Sequence, residues 1–349
     1  MIGFRIFLIY FMFVFLFPAF SRDHNIFNFE LTQILPFTDS DRSLINSVAF
    51  HPESQLFCVT FSHNNKVIIY AIDSLGQSKI LQTLEGVNSE LNYPASAVFS
   101  YDGKSLIVAN YGSKNFTIYP LQSDGLYQNF PAQRYRFDEK FRPHGMKISP
   151  DGNYLAVTYC SYQKNPKAIE IYKINHLDSN EVTLKKISLL QNEEINKAVP
   201  KGVAFSPDGS CILVTFSRNN SIAVYEIDWE REMIIDPPKQ ILNAKDSLVS
   251  RPEDIHFLPG SDSFAITNSD KDTITFYDYD NASNSITSIY PFYVLQKPEA
   301  NFSFPHGLSF SPDRKYLVVT QFGESPADLN LKTKIKKERK DAVLIFKLN

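Results

Sequence analysis

Apolar and polar positions along this chain fall into short runs rather than long stripes. An apolar triplet, a tight polar turn and a second apolar run recur together, and the second run often ends in Val-Thr. The unit reads NSVAFHP at 46–52, PASAVFSYDG at 94–103, RPHGMKISPDG at 142–152 and PKGVAFSPDG at 200–209. It returns as PEDIHFLPG at 252–260 and PHGLSFSPD at 305–313. Anchored on the residue before the Pro or its equivalent (His51, Ser100, Ser149, Ser206, Leu258, Ser311), the steps are 49, 49, 57, 52 and 53 residues. Repeats of that length built from short strands predict an all-β fold, a β-propeller with one four-stranded blade per unit.

Within a unit, strand a is the triplet before the anchor, and Pro with Asp-Gly supplies the turn that follows. Strand b is the apolar run, such as CILVTF at 211–216, and strand c follows a polar loop, as in SIAVYEID at 221–228. Strand d is weaker, as in KILQTLE at 79–85 or YVLQ at 293–296. The last unit stops after its strand c, AVLIFKL at 342–348, while an orphan segment, FELTQILPF at 29–37, precedes the first. Pairing the orphan with 342–348 completes blade six and removes two free edges. Six blades are therefore expected, closed by an N-terminal strand.

Composition sharpens this picture modestly. Of 349 residues, 29 are Phe and 18 are Tyr, which suits twisted sheets packed face to face. A net charge of −3 gives no general attraction to nucleic acid. At the start, an apolar run from Ile6 to Phe17 precedes Ala19-Phe20-Ser21, the layout of a secretory signal over residues 1–21 with the propeller domain over 22–349. A secreted or periplasmic protein is expected; the alternative is an uncleaved N-terminal anchor. Three cysteines, Cys58, Cys160 and Cys211, read as small buried residues rather than a disulfide framework.

The segment LIVANYGSKNFTIYPLQSDG at 106–125, with PHGMKISPDGNYLAV at 143–157, resembles the lactonase propellers of the 6-phosphogluconolactonase type, related to YVTN-repeat proteins. The resemblance runs from about residue 46 to 349. It implies seven blades and a functional set made of a His before one strand a, an Arg before the next, and a Glu and an Arg after later b strands. His144 fits the first place and Lys201 stands at the second. Ser217 and Ser269 stand where the Glu and second Arg would be, and Ser96 replaces a further His.

Propeller ligands bind where the d–a and b–c loops surround the central channel. The residues entering strand a from that face are Asn46, Ala95, His144, Lys201, Glu253 and His306. His144, Lys201, Glu253 and His306 are the candidate catalytic ring: an imidazole serves as general base or metal ligand, Glu253 serves as either, and Lys201 holds an anion. Lys147 and His256 lie one layer deeper. A loop at 322–341 carries the basic run KTKIKKERK. Polar rims, channel water and a solvated basic loop account for the same residues without chemistry.

The expected function is an exported lactonase-like propeller binding a small anionic ligand or a protein partner on this top face, as a monomer. A hydrolase or isomerase acting on a lactone or sugar acid is one alternative, and a structural interaction scaffold is another. A divalent metal is a candidate cofactor; nucleic acid is not an expected partner, and membrane contact would come only through the leader.

Overall fold

The chain closes a ring of six antiparallel sheets. Its computed structural model describes residues 27–37, 43–137, 140–160, 166–176, 182–243, 247–296, 300, 302–323 and 341–349. The leader and the basic run at 332–340 lie outside the described residues.

Each sheet is a blade, with strand a innermost. In blade four, Pro200–Phe205 pairs with Cys211–Phe216, which pairs with Ser221–Asp228 and then Gln240–Asn243. Blade six is the exception in chain order. Its outer strand is Phe29–Pro36, antiparallel to Ala342–Leu348, with Phe29 opposite Leu348 and Pro36 opposite Ala342. The orphan segment thus closes the ring.

Strands b are buried along their whole length in blades two, four and six and from the second residue on in the others, which explains why their sequences run apolar without alternating. Both faces of a blade are covered by neighbours, so both sides of a strand are core. The core is accordingly divided into a cluster in each of the six seams between successive blades, with a small seventh one of Leu44, Phe304 and Phe322. Aromatic rings thicken these seams. Phe27 stacks on Phe276 and Phe29 lies tilted against it, tying the closing strand to blade five as well as to its own sheet.

The Ser-Pro-Asp-Gly phrase is a structural device. Ser100 donates to Asp102 at 2.7 Å while accepting the backbone N–H of Ser105 at 2.9 Å, and Ser206 with Asp208 and Cys211 repeats the pattern. The turn glycines 103, 152 and 209 have φ between 67° and 77°, a region open to Gly at little cost.

The recurring Val-Thr has a comparable explanation. In every blade, strand a bulges near its start, and the register slips before the third or fourth residue. The bulge takes one N–H out of the ladder, and the strand b Thr accepts it in five blades: Ser47 to Thr60, Gly145 to Thr158, Gly202 to Thr215, Asp254 to Thr267 and Gly307 to Thr320, at 2.8–3.0 Å. Three of these hydroxyls also reach the next blade. Thr158 donates to the Lys201 carbonyl, Thr267 to that of His306 at 2.9 Å, and Thr320 to that of Asn46 at 3.4 Å. Blade two has Ala109 in this place.

Candidate functional site

These Thr bridges fix the backbone of the residues that enter the channel. Strands a start at the face carrying the d–a and b–c loops, and each bulges near its start. In five blades the residue before strand a is left-handed without being Gly: Leu44, Tyr93, Val199, Arg251 and Phe304, with φ from 43° to 63°. For the β-branched Val199 this is a strained conformation, held in place by the surrounding ring. Directly inside, strand backbones approach so closely that a Cβ on Gly145 would lie 2.2 Å from the Lys201 carbonyl oxygen, and one on Gly202 2.7 Å from Asp254 Cα. Small residues there let the side chains one position earlier converge.

They converge on one cluster. Lys201 Nζ lies 3.0 Å from Glu253 Oε2 and 3.2 Å from His144 Nε2. His306 Nε2 lies 3.3 Å from the same Glu253 oxygen, and the two imidazole rings are 5.7 Å apart across the channel. Arg251 Nε approaches Glu253 Oε1 at 3.3 Å, and its guanidinium lies over the Phe304 ring. The His306 ring stacks on Phe322 at 4.3 Å, and its Nδ1–H donates to the Asn46 carbonyl at 2.7 Å, since a carbonyl only accepts. The four candidate residues named from the sequence therefore share one place, with Asn46 and Ala95 lining the same cavity.

Burial sets the electrostatics. Lys201, Glu253 and His306 are all under a tenth exposed. Burial raises the Glu253 carboxyl, but Lys201 together with the His306 hydrogen bond and the imidazoles outweighs it and holds the group well below the usual carboxylate range. For His144 burial, reinforced by Lys201 and His306, pushes the imidazole far down against the pull of Glu253, so it is neutral at pH 7. Arg142, stacked on Tyr111, with Lys167 and Arg218 adds positive charge to the surrounding loops.

His144, Glu253 and His306 bring one donor atom each within 4.8 Å of one another, a spacing that admits a metal ion. The Lys201 ammonium, however, already touches two of those donors. A divalent ion and an ammonium repel one another there, so this set fits a metal poorly while Lys201 is charged.

A second polar layer lies beneath. Lys147 and Asp254 line the same cavity as the cluster, and His256 sits beside them. Asp254 accepts the N–H groups of Leu308 at 3.0 Å and Ile255 at 2.9 Å. Burial raises its carboxyl and lowers the Lys147 ammonium, each countered by the other's charge. Asp254 is absent from the residues singled out in the sequence. A signal existed: the corresponding position is Ser in blades one and two and Gly in blades three, four and six. Ser217 and Ser269 stay outside the cluster's contacts, and the Ser269 hydroxyl holds the Pro305 carbonyl at 2.5 Å. Ser96 faces Ser47 at 3.4 Å.

The space left in this channel is about 20 Å³, room for roughly one water. The three cysteines are free and buried, and burial pushes Cys58 up to about 12 and Cys160 up to about 11.

Among solved structures, the periplasmic gluconolactonase PpgL of Pseudomonas aeruginosa is 15% identical over 86% of this chain and 88% of its own, with a TM-score of 0.58. A candidate 6-phosphogluconolactonase of Bacteroides uniformis is 17% identical over 79% and 77%, with a TM-score of 0.58. A luciferin-regenerating enzyme is 12% identical over 91% and 95%, with a TM-score of 0.60. At such identities the likeness is one of fold. Comparison with curated protein sequences gives no match. A family model described as "Lactonase, 7-bladed beta-propeller" matches residues 46–320. With six sheets among its described residues, the chain belongs to that lactonase propeller family in a six-bladed form.

Proposed function

We propose that this protein is a lactonase-type hydrolase that opens a small anionic lactone at the top-face channel mouth. The observation that carries this reading is the buried meeting of Lys201, Glu253, His144 and His306 around a space the size of one water. At rest the Lys201 ammonium donates to His144 Nε2 and faces Glu253. An incoming anionic or carbonyl oxygen competes for that ammonium and frees the neutral imidazole as a base. Water held there then attacks the lactone carbonyl, its proton passing to His144, and the ring oxygen leaves as an alcohol when that proton is returned. The Lys201 ammonium faces the developing oxyanion. Export through a leader at 1–21 belongs to the same reading.

A second reading, ligand binding without turnover, is favoured by one fact. The channel is too small for a lactone ring, so a ligand rests above the cluster rather than within it. Acid release from a panel of small lactones, followed at constant pH, separates the two. The hydrolase reading expects turnover that falls at least about 100-fold in Glu253→Gln and in His144→Ala. Binding of sugar acids without lactone opening by the native protein would leave the binding reading, and neither activity would overturn both.

A further inference from the structure

The face opposite the channel mouth carries a second cavity, of about 460 Å³, at the junction of blades three and four. Its walls are the Tyr154 and Trp229 rings, Pro150 and Pro207, and the carboxylates of Asp151 and Asp208. The two aromatic rings lie 4.1 Å apart at an angle of 31°. Trp229 is held from beneath, its indole N–H donating to the Gly209 carbonyl at 3.1 Å.

The cavity lies where the Ser-Pro-Asp-Gly turns of blades three and four come side by side. Each turn contributes one proline and one aspartate. The turn bonds to Asp208 all fall on Oδ1, from Ser206, the Ser210 N–H and the Ser210 hydroxyl, which leaves Oδ2 for a ligand. Tyr154 senses both Asp151 and Glu232, whose charges add to burial in pushing its hydroxyl up. Among the described residues, no Lys or Arg lines the walls. An aromatic, proline-walled cavity of ligand size that bears two carboxylates suits a positive charge on an apolar frame.

We propose that this pocket binds an organic cation, an ammonium or guanidinium group placed against the Tyr154–Trp229 pair and between Asp151 and Asp208. The proposal is independent of any chemistry in the channel. The same chemistry occurs in free quaternary amines and in basic side chains of a peptide, and separate probes distinguish these sources.

Trp229 is the chain's single tryptophan, so intrinsic fluorescence reports on this pocket directly. The full chain is titrated with choline, with arginine amide and with methyl glucoside as a neutral control. Saturable change with choline, with arginine amide or with both supports the proposal, and which of them binds identifies the source. Asp151→Asn and Asp208→Asn keep the turn acceptor and remove the charge, and each should weaken binding about tenfold. Raising salt should weaken it as well, because the charges are partly exposed. Absence of saturation by either cation, unchanged affinity in the double Asn variant, or equal binding of methyl glucoside would each overturn it.

Discussion

Lys201 and Glu253 reach each other from adjacent blades, Nζ to Oε2 at 3.0 Å, with both side chains 5% exposed or less. A pair so buried is expensive to break on one side only, because the remaining charge loses its nearest partner. Lys201→Met should destabilise the fold by about 3 kcal/mol. Adding Glu253→Leu should recover most of that loss. Urea unfolding of the native, single and double variants measures both steps; a neutral single substitution would show that Arg251 alone satisfies the carboxylate.

Acid should weaken the fold in two stages. His144 and His256 have folded pKa values well below 6.5, so the unfolded chain takes up protons that the native state refuses. Their contribution is complete above about pH 6.5 and falls as pH drops below it, by up to about 2 kcal/mol each at pH 5. Glu253 is depressed instead, so its contribution holds above about pH 4.3 and is lost only as pH falls toward its folded value. Asp254, raised by burial, works in the opposite direction. His144→Asn with His256→Asn should flatten the loss of stability between pH 7 and pH 5 in denaturation experiments.

The Thr bridges should be separable from the chemistry of the channel. Thr267→Val removes the acceptor for Asp254 N–H and the donor to the His306 carbonyl while keeping the shape. A cost of about 1–3 kcal/mol is expected, since buried partners are left unpaired. Thermal unfolding reads the loss, and an unchanged midpoint would mean that neighbouring groups take over both bonds.

Removal of residues 22–37 should expose the outer edge of Ala342–Leu348 and uncover the seam against Phe276 and Tyr293. Aggregation or a large fall in melting temperature is expected, measured by light scattering during heating. A monomeric truncation with unchanged melting would contradict the closing role of Phe29–Pro36.

The cysteines should be silent until the fold opens. With Cys58 pushed to about 12 and Cys160 to about 11, almost no thiolate exists at pH 8. A chromogenic disulfide reagent should label none of the three in native protein and all three after denaturation.

Much of the architecture was legible because burial on both blade faces leaves an unmistakable trace. Apolar runs such as CILVTF, repeated at near-constant steps, admit few other folds, and the missing last strand pointed to its substitute at 29–37. The meeting of His144, Lys201, Glu253 and His306 followed from counting back a fixed distance from each turn. Less visible was the bulge in strand a, which turns two successive residues of blade five, Glu253 and Asp254, toward the same cavity. A strict period of two places neighbours on opposite sides, so Asp254 escaped notice. The pairing of Trp229 with Tyr154 was hidden for another reason: the two lie 75 residues apart and meet only when blades three and four are set side by side.

The closing strand has an orientational consequence. Phe29 and Leu348 are partners, and the Asn349 N–H donates to the Asn28 carbonyl at 3.0 Å, so both ends of the ring leave from the rim that bears the a–b turns. Anything joined to either end, whether a surface, a carrier or a second domain, would hold the molecule by its underside and leave the channel mouth facing away. A tag placed after Asn349 should therefore leave the channel mouth open.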